Sequence, residues 1–369
     1  MPSIDLNPFT ERARDLLRLS AFLDPAHPIP LPALEAGMDA LPPPLRDALD
    51  DPEARERTLD ALLDLGAGGA ARGELVLRAA SAAAAGEALG GEARRHWVAA
   101  AVRVMELAFP DDPVRPEARD AAGRLFPHAV AAAHHGLREE TETARSAQLL
   151  YLAGRYLLEA RGDHAAARAL LESAVDARQW AHGPDDPRVA MDLNYLNGAL
   201  LHLGEWPRMA ENAIRAADIL EGEYGARDRT VITHVNNAAL LLSRAGERGK
   251  ARAWFLRALK LAEPVFGRAH PFCATILSNI GDLDRQEGNL RGARDAYRRA
   301  LAIDEAAYGP RHDSVARDRA KLGEALADNG EHTAARGQLE RALAWIAEKH
   351  GPDDIRAKHI RSLIARLDG

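Results

Sequence analysis

The sequence predicts an all-α protein: a superhelical solenoid of five helical hairpins plus a capping helix, preceded by a smaller helical domain. Three observations predict it. Glycines stand at Gly162, Gly204, Gly246, Gly288 and Gly330, and again at Gly183, Gly225, Gly267, Gly309 and Gly351, so two ladders share a step of 42 residues. Small residues keep the same register: Ala167, Met209, Ala251, Ala293 and Ala335 lie five positions after the first glycine, and Ala174, Ala216, Ala258, Ala300 and Ala342 twelve after it. Composition supplies the third: hydrophobic residues make up 47% but aromatics only 5%, which leaves alanine and leucine to build the core. Helix pairs tolerate that, because small side chains let two backbones approach closely.

From the N-terminus, residues 8–23 read as a helix with Leu16, Leu17, Leu19 and Phe22 as its apolar positions. Pro25, Pro28, Pro30 and Pro32 break the chain, and Pro42, Pro43 and Pro44 break it again. A helix over 52–65 follows. After the glycine-rich turn from Gly66 to Gly73, the alternation Glu74, Leu75, Val76, Leu77 suits a hairpin strand. Helices at 79–89, 93–108 and 116–135 come next. The domains expected from this pass are 1–90, a helical linker over 91–144, the array over 145–350, and a cap over 351–369.

Within the array each first-ladder glycine ends one helix, where a left-handed residue is least costly without a Cβ. Each second-ladder glycine ends the next helix, and a short polar link follows, such as Pro184, Asp185, Asp186, Pro187. Asp186 is placed to cap the helix that Pro187 begins. The hairpins are expected at 145–161 with 163–182, 187–203 with 205–224, 229–245 with 248–266, 271–287 with 290–308, and 313–329 with 331–350. Ile360, Ile364 and Leu367 make the segment from Ile355 a lid for the last apolar face.

The pattern of Gly, Ala five later and Ala twelve later resembles the tetratricopeptide repeat, and the 42-residue period resembles its kinesin-light-chain-like subclass. That subclass often carries Leu-Asn-Asn-Leu-Ala in its first helix. The matching segments run from Leu193 to Asn197, Val235 to Ala239 and Leu277 to Gly281, while the run from Arg319 to Gly323 departs from it. The order helix, helix, helix, β-wing, with Leu16 to Leu23 followed by Pro28, Ile29, Pro30, resembles the winged-helix segment of bacterial signalling ATPases of the NB-ARC (STAND) type. In that family a histidine commonly follows the wing strand and contacts the nucleotide; the aligned position here is Arg78.

Several function classes are disfavoured. A nucleotide-binding P-loop needs Gly-x-x-x-x-Gly-Lys-Ser/Thr; the string is absent, and no lysine precedes Lys250. From Asp39 to Asp64 there are eight acidic residues against three arginines, and the net charge is −7, the wrong sign for nucleic acid. No metal or other cofactor is expected, and His96, His128, His134 and His135 read as solvated helix-surface residues. The lone Cys273, three residues after His270, is the single candidate nucleophile. His270 stands before a helix-starting proline, a place that suits capping, and the expectation is no enzyme. One cysteine, no signal peptide and no apolar run of spanning length point to a cytoplasmic location without a membrane partner. Most of Trp97, Trp180, Trp206, Trp254 and Trp345 are expected to pack in the core or between repeats.

In stacked hairpins the first helices line the inner face. Counting from the turn glycines puts Tyr156, Asn194, His202, Asn236, Ser243, Arg244, Ser278, Asp282, Arg285 and Gln286 there, with Arg317, Ala320, Glu324 and Asp328 in the fifth hairpin. Asparagine amides can donate to and accept from an extended peptide backbone, or can instead bond the neighbouring repeat. Arg244 and Arg285 can select an acidic group. The expected partner is a protein or peptide in the concave groove. The second resemblance implies a sensor or scaffold arm working with an upstream nucleotide-binding domain; a free-standing adaptor is the alternative.

Overall fold

The computed structural model describes residues 9–71 and 73–367, so Pro8, the first residue of the helix expected at 8–23, and the last two residues of the cap lie outside the described residues. The chain forms two compact units, Met1–Gly204 and Glu205–Gly369. The division falls at the turn glycine of the second hairpin, inside the expected array, and not at residue 90 or 144.

The first unit opens with α1 (Glu11–Ser20), capped by Thr10, and Leu16, Leu17 and Leu19 are fully buried. Next come β1 (Ile29–Pro30), α2 (Leu31–Ala36), α3 (Pro43–Asp50) and α4 (Pro52–Asp64). The prolines expected only to break the chain also start helices: Pro43 and Pro44 open α3 and Pro52 opens α4, at positions that need no amide donor. Strands β2 (Gly68–Ala71) and β3 (Glu74–Leu77) complete an antiparallel sheet of order β1-β3-β2, with Ile29 opposite Leu75 and Gly69 opposite Val76. Only β3 is legible from alternation. The glycine run, expected as a turn, forms β2 because Gly68 lacks the Cβ that would lie 2.3 Å from the Val76 carbonyl oxygen.

Helices α5 (Ala79–Glu87), α6 (Gly91–Ala108) and α7 (Arg119–Arg138) follow. Of the four histidines expected on helix surfaces, His96 and His134 are exposed and His135 is half-buried, its ring edge-on to Phe22. His128 departs from the expectation: it is fully buried, its Nδ1 accepts from the Asp24 amide at 3.2 Å, and its Nε2 donates to the Pro28 carbonyl at 3.0 Å. It thereby pins the α1–β1 connection to α7. The unit ends with α8 (Thr143–Arg155), which continues as a π-helical stretch (Tyr156–Arg161), then α9 (His164–His182) and α10 (Pro187–Leu203).

The second unit is a run of antiparallel helices: α11 (Trp206–Tyr224), α12 (Arg229–Arg244), α13 (Arg248–Phe266), α14 (Pro271–Gln286), α15 (Leu290–Tyr308), α16 (Asp313–Asp328), α17 (His332–His350) and α18 (Ile355–Arg366). Both ladders hold positive φ, between +67° and +96°, with nothing within 4 Å of where a Cβ would stand, so backbone conformation and not space requires glycine. The first helices are capped at a constant step by Asp186, Asp228, His270, His312 and Asp354, each accepting from an amide two residues on. Ala258, Ala300 and Ala342 are fully buried where paired helices meet. Ala357 and Ile360 of α18 cover Leu339, Ala342 and Ile346, as a terminal lid must.

Trp97 is buried, but Trp180 stands 57% exposed and does not fill a core. No helix among the described residues is long and apolar enough to cross a membrane.

Candidate functional site

A hollow of about 640 Å³ in the second unit is built by the first helices of three successive hairpins. Leu240, Ser243 and Arg244 come from α12, Asn279, Asp282, Arg285 and Gln286 from α14, and Asp328 from α16. Phe255 of α13 and Tyr297 of α15, both fully buried, close the floor. The 42-residue step explains the convergence: Arg244, Gln286 and Asp328 are one register position, Leu240 and Asp282 another, Ser243 and Arg285 a third. Equivalent residues of stacked hairpins fall on the same face.

Polar groups within the hollow are mostly fixed. The Tyr297 hydroxyl donates to Asp282 Oδ1 at 2.6 Å, and Lys321 Nζ donates to Asp282 Oδ2 at 2.7 Å and Ser278 Oγ at 3.0 Å. Burial, and then the Asp282 carboxylate, hold the Tyr297 phenol well above its ordinary pKa, so it is a permanent donor. Arg285 reaches Asp328 at 2.6 Å and Glu324 at 2.5 Å. Burial works against its charge, but Asp328 and Glu324 outweigh burial and raise its pKa. Arg244 is different. Its guanidinium lies over the Trp206 ring, 5.8 Å from the centroid, and meets no carboxylate among the described residues. Arg244 is exposed and free to take an anionic group; Arg285, also expected to select one, is already neutralised.

Of the residues singled out in the sequence, the hollow gathers Arg244, Asp282, Arg285 and Gln286, together with Ser243. Asn236 and Ser278 are buried: Asn236 Oδ1 accepts from Asn279 at 3.3 Å and Ser278 accepts from Lys321, so both hold the next hairpin and do not face the opening. The groove-facing register begins one residue later than counted, at Asn279 and Lys321, because one residue turns a helix by about 100°. Arg317 also lies elsewhere, at the α15–α16 seam beside Asp304 and Asp318. The other three belong to the first unit. Tyr156 is buried in the π-helical stretch and lines a separate hollow of about 540 Å³ with Phe126, Arg119 and Arg124. Asn194 is exposed on α10, and His202 stacks on His164 at 3.8 Å. Phe255 and Tyr297 were not anticipated, because second helices were assigned to packing alone. Their signal was present: a large aromatic among the alanines of a second helix.

Cys273 is buried, its thiol donates to the Gly267 carbonyl at 3.4 Å, and burial raises its pKa. His270 Nδ1 accepts from the Phe272 amide at 3.1 Å. The two side chains are thus engaged separately in local caps.

Residues 229–306 and 273–345 match the tetratricopeptide repeat family, so this stretch consists of tetratricopeptide repeats, and the fold is of the all-α tetratricopeptide type. Among solved structures, the apo form of RapI is similar with a TM-score of 0.54 at 12% identity, over 76% of this chain and 72% of that one. BtubC (BKLC) from P. vanneervenii is similar at 20% identity, TM-score 0.48, over 63% of this chain and 91% of that one. A STAND signal-transduction ATPase with a tetratricopeptide repeat sensor from Pyrococcus horikoshii is similar at 13% identity, TM-score 0.46, over 97% of this chain and 54% of that one. No curated protein matches the sequence.

Proposed function

We propose that the second unit binds an extended segment of a partner protein across α12, α14 and α16. One observation carries the reading: a groove into which side chains of three successive first helices converge at a constant register, over an aromatic floor. Asn279 and Gln286 offer amides to a peptide backbone, and Arg244 offers a charge for an acidic side chain or carboxylate. Tetratricopeptide repeats supply a rigid frame for such contacts, which lowers the ordering cost of binding.

We further read the chain as the ligand-sensing arm of a signalling ATPase of the STAND type, with its nucleotide-binding domain outside these 369 residues. The element order up to β3 supports this: a helix, a strand, three α-helices and a hairpin, in a sheet of order β1-β3-β2, resembles that of a winged helix. In that reading a partner filling the groove shifts the population of two states of the larger protein, by binding one of them more tightly. The test is a pull-down with wild type beside an Arg244→Glu/Asn279→Ala double variant. Loss of the same partners by the variant is expected; identical recovery from both refutes the groove assignment.

A further inference from the structure

We propose that the face formed by α4 and the edge strand β2 is a second docking surface, which takes an extended protein segment of alternating apolar and basic residues. In a sheet of order β1-β3-β2, strand β2 pairs only with β3 among the described residues, which leaves its other edge without a strand partner there. An open edge is a template for strand addition. Beside it Leu63 is 64% exposed and Val76 48%, and both line one open groove of about 450 Å³ along β2. The groove is open because β2 offers almost no side chains. Leu63 Cδ1 would stand 3.4 Å from a Cβ on Gly69, and Ala70 follows. Leu63 and Val76 thus leave an apolar strip in water along the open strand edge.

Charge selects the occupant. The arginines of α3 and α4 are already paired: Arg46 with Asp47, Arg55 with Glu35, and Arg57 with Glu53 and Asp51. Glu56 and Asp60 line a second hollow of about 410 Å³ that adjoins the groove and shares Leu63, Gly69 and Ala70 with it. They have no cation partner among the described residues, and neither does Asp64. Arg78 lines the first hollow and not the second, so basic residues of the occupant belong on the Glu56–Asp60 side. The α4–β2 hairpin face is where a winged helix would meet a duplex, and this sign of charge repels phosphates. A protein strand with lysine or arginine on one side and branched apolar residues on the other satisfies the edge, the leucine and the carboxylates together.

The experiment uses the full chain, labelled with ¹⁵N, and a blocked hexapeptide alternating valine and lysine. Expected are amide shifts confined to α4, β2 and β3, and affinity that falls with salt. Affinity should drop at least tenfold in Glu56→Lys/Asp60→Lys and in Val76→Lys. All three are exposed positions whose spectra will report intact folding. The matching valine–glutamate peptide should not bind. Equal binding by wild type and variants, no binding by wild type, or tighter binding of a 16-base-pair duplex would each overturn the proposal.

Discussion

Asp318 and Asp304 face each other across the α15–α16 seam, and replacing Asp318 by asparagine should stabilise the second unit at neutral pH. The two side chains are 0% and 2% exposed, and each keeps one oxygen without a hydrogen-bond partner. Arg317, itself half-exposed, is the cation beside both, at 3.5 Å from Asp304 and 3.1 Å from Asp318. Burial first, and then the neighbouring carboxylate against the pull of Arg317, raises Asp318 to about 6, and burial raises Asp304 as well. The proton belongs to the pair. A carboxyl whose folded pKa is raised contributes proton-linked stability below its unfolded value, near 3.8, and loses it as pH climbs to about 6. A shift of about two units at ~1.4 kcal/mol each makes that loss about 3 kcal/mol. The amide of the variant cannot ionise, so the difference in stability between Asp318→Asn and wild type should grow by about 3 kcal/mol in favour of the variant between pH 4 and pH 8. Urea unfolding followed by Trp345 fluorescence measures it, with the ¹³C carboxyl shifts of Asp304 and Asp318 as the direct titration. A difference that does not change with pH, or carboxyl shifts complete below pH 4, would show that the seam holds two ionised groups and refute the argument.

The loop between α1 and β1 depends on His128. His128→Gln should cost the first unit about 1 kcal/mol through its weakened hydrogen bonds to the half-buried Asp24 amide and the Pro28 carbonyl. Burial depresses the His128 pKa, so wild type should lose stability as pH falls below about 6.5 while the variant loses less; melting followed by Trp97 fluorescence checks both. Phe255→Ala removes the fully buried floor of the groove and should cost about 3–5 kcal/mol, read by urea unfolding, with amide exchange quickened first in α12 to α14.

How much of this was legible in the sequence follows from what each feature depends on. The hairpins were, because glycine at positive φ and alanine at a helix contact are local necessities that recur at each step: the expected 187–203 and 290–308 match α10 and α15 end for end. Of the sheet only β3 was, because β1 is two residues inside a proline-rich run and β2 is held by the absence of side chains, a property that periodicity cannot register. His128 illustrates the same limit. Its burial depends on Pro28, a hundred residues earlier, and nothing around position 128 encodes that. In the groove, Arg244 and Gln286 were found by register, whereas Asn236 was misplaced by one residue, enough to turn it from the opening into the seam.

The repeat also says why the groove is where it is. Between the fourth and fifth hairpins Arg285 spans the seam to Glu324 and Asp328, which lie 39 and 43 positions ahead of it. One repeat earlier the same register holds Ser243, and the positions 39 and 43 ahead are Asp282 and Gln286. Serine is too short to cross, so the place a guanidinium would fill is left as part of the open hollow. Ser243→Arg should therefore rebuild the missing strut. The new arginine would donate to Asp282 and the Gln286 carbonyl, leave stability within about 1 kcal/mol because the pair is half-exposed, and still abolish partner capture by filling the space. If the variant retains its partners undiminished, binding does not run through this notch, and a repeat protein whose seams differ only in how they are zipped must recognise its ligand elsewhere.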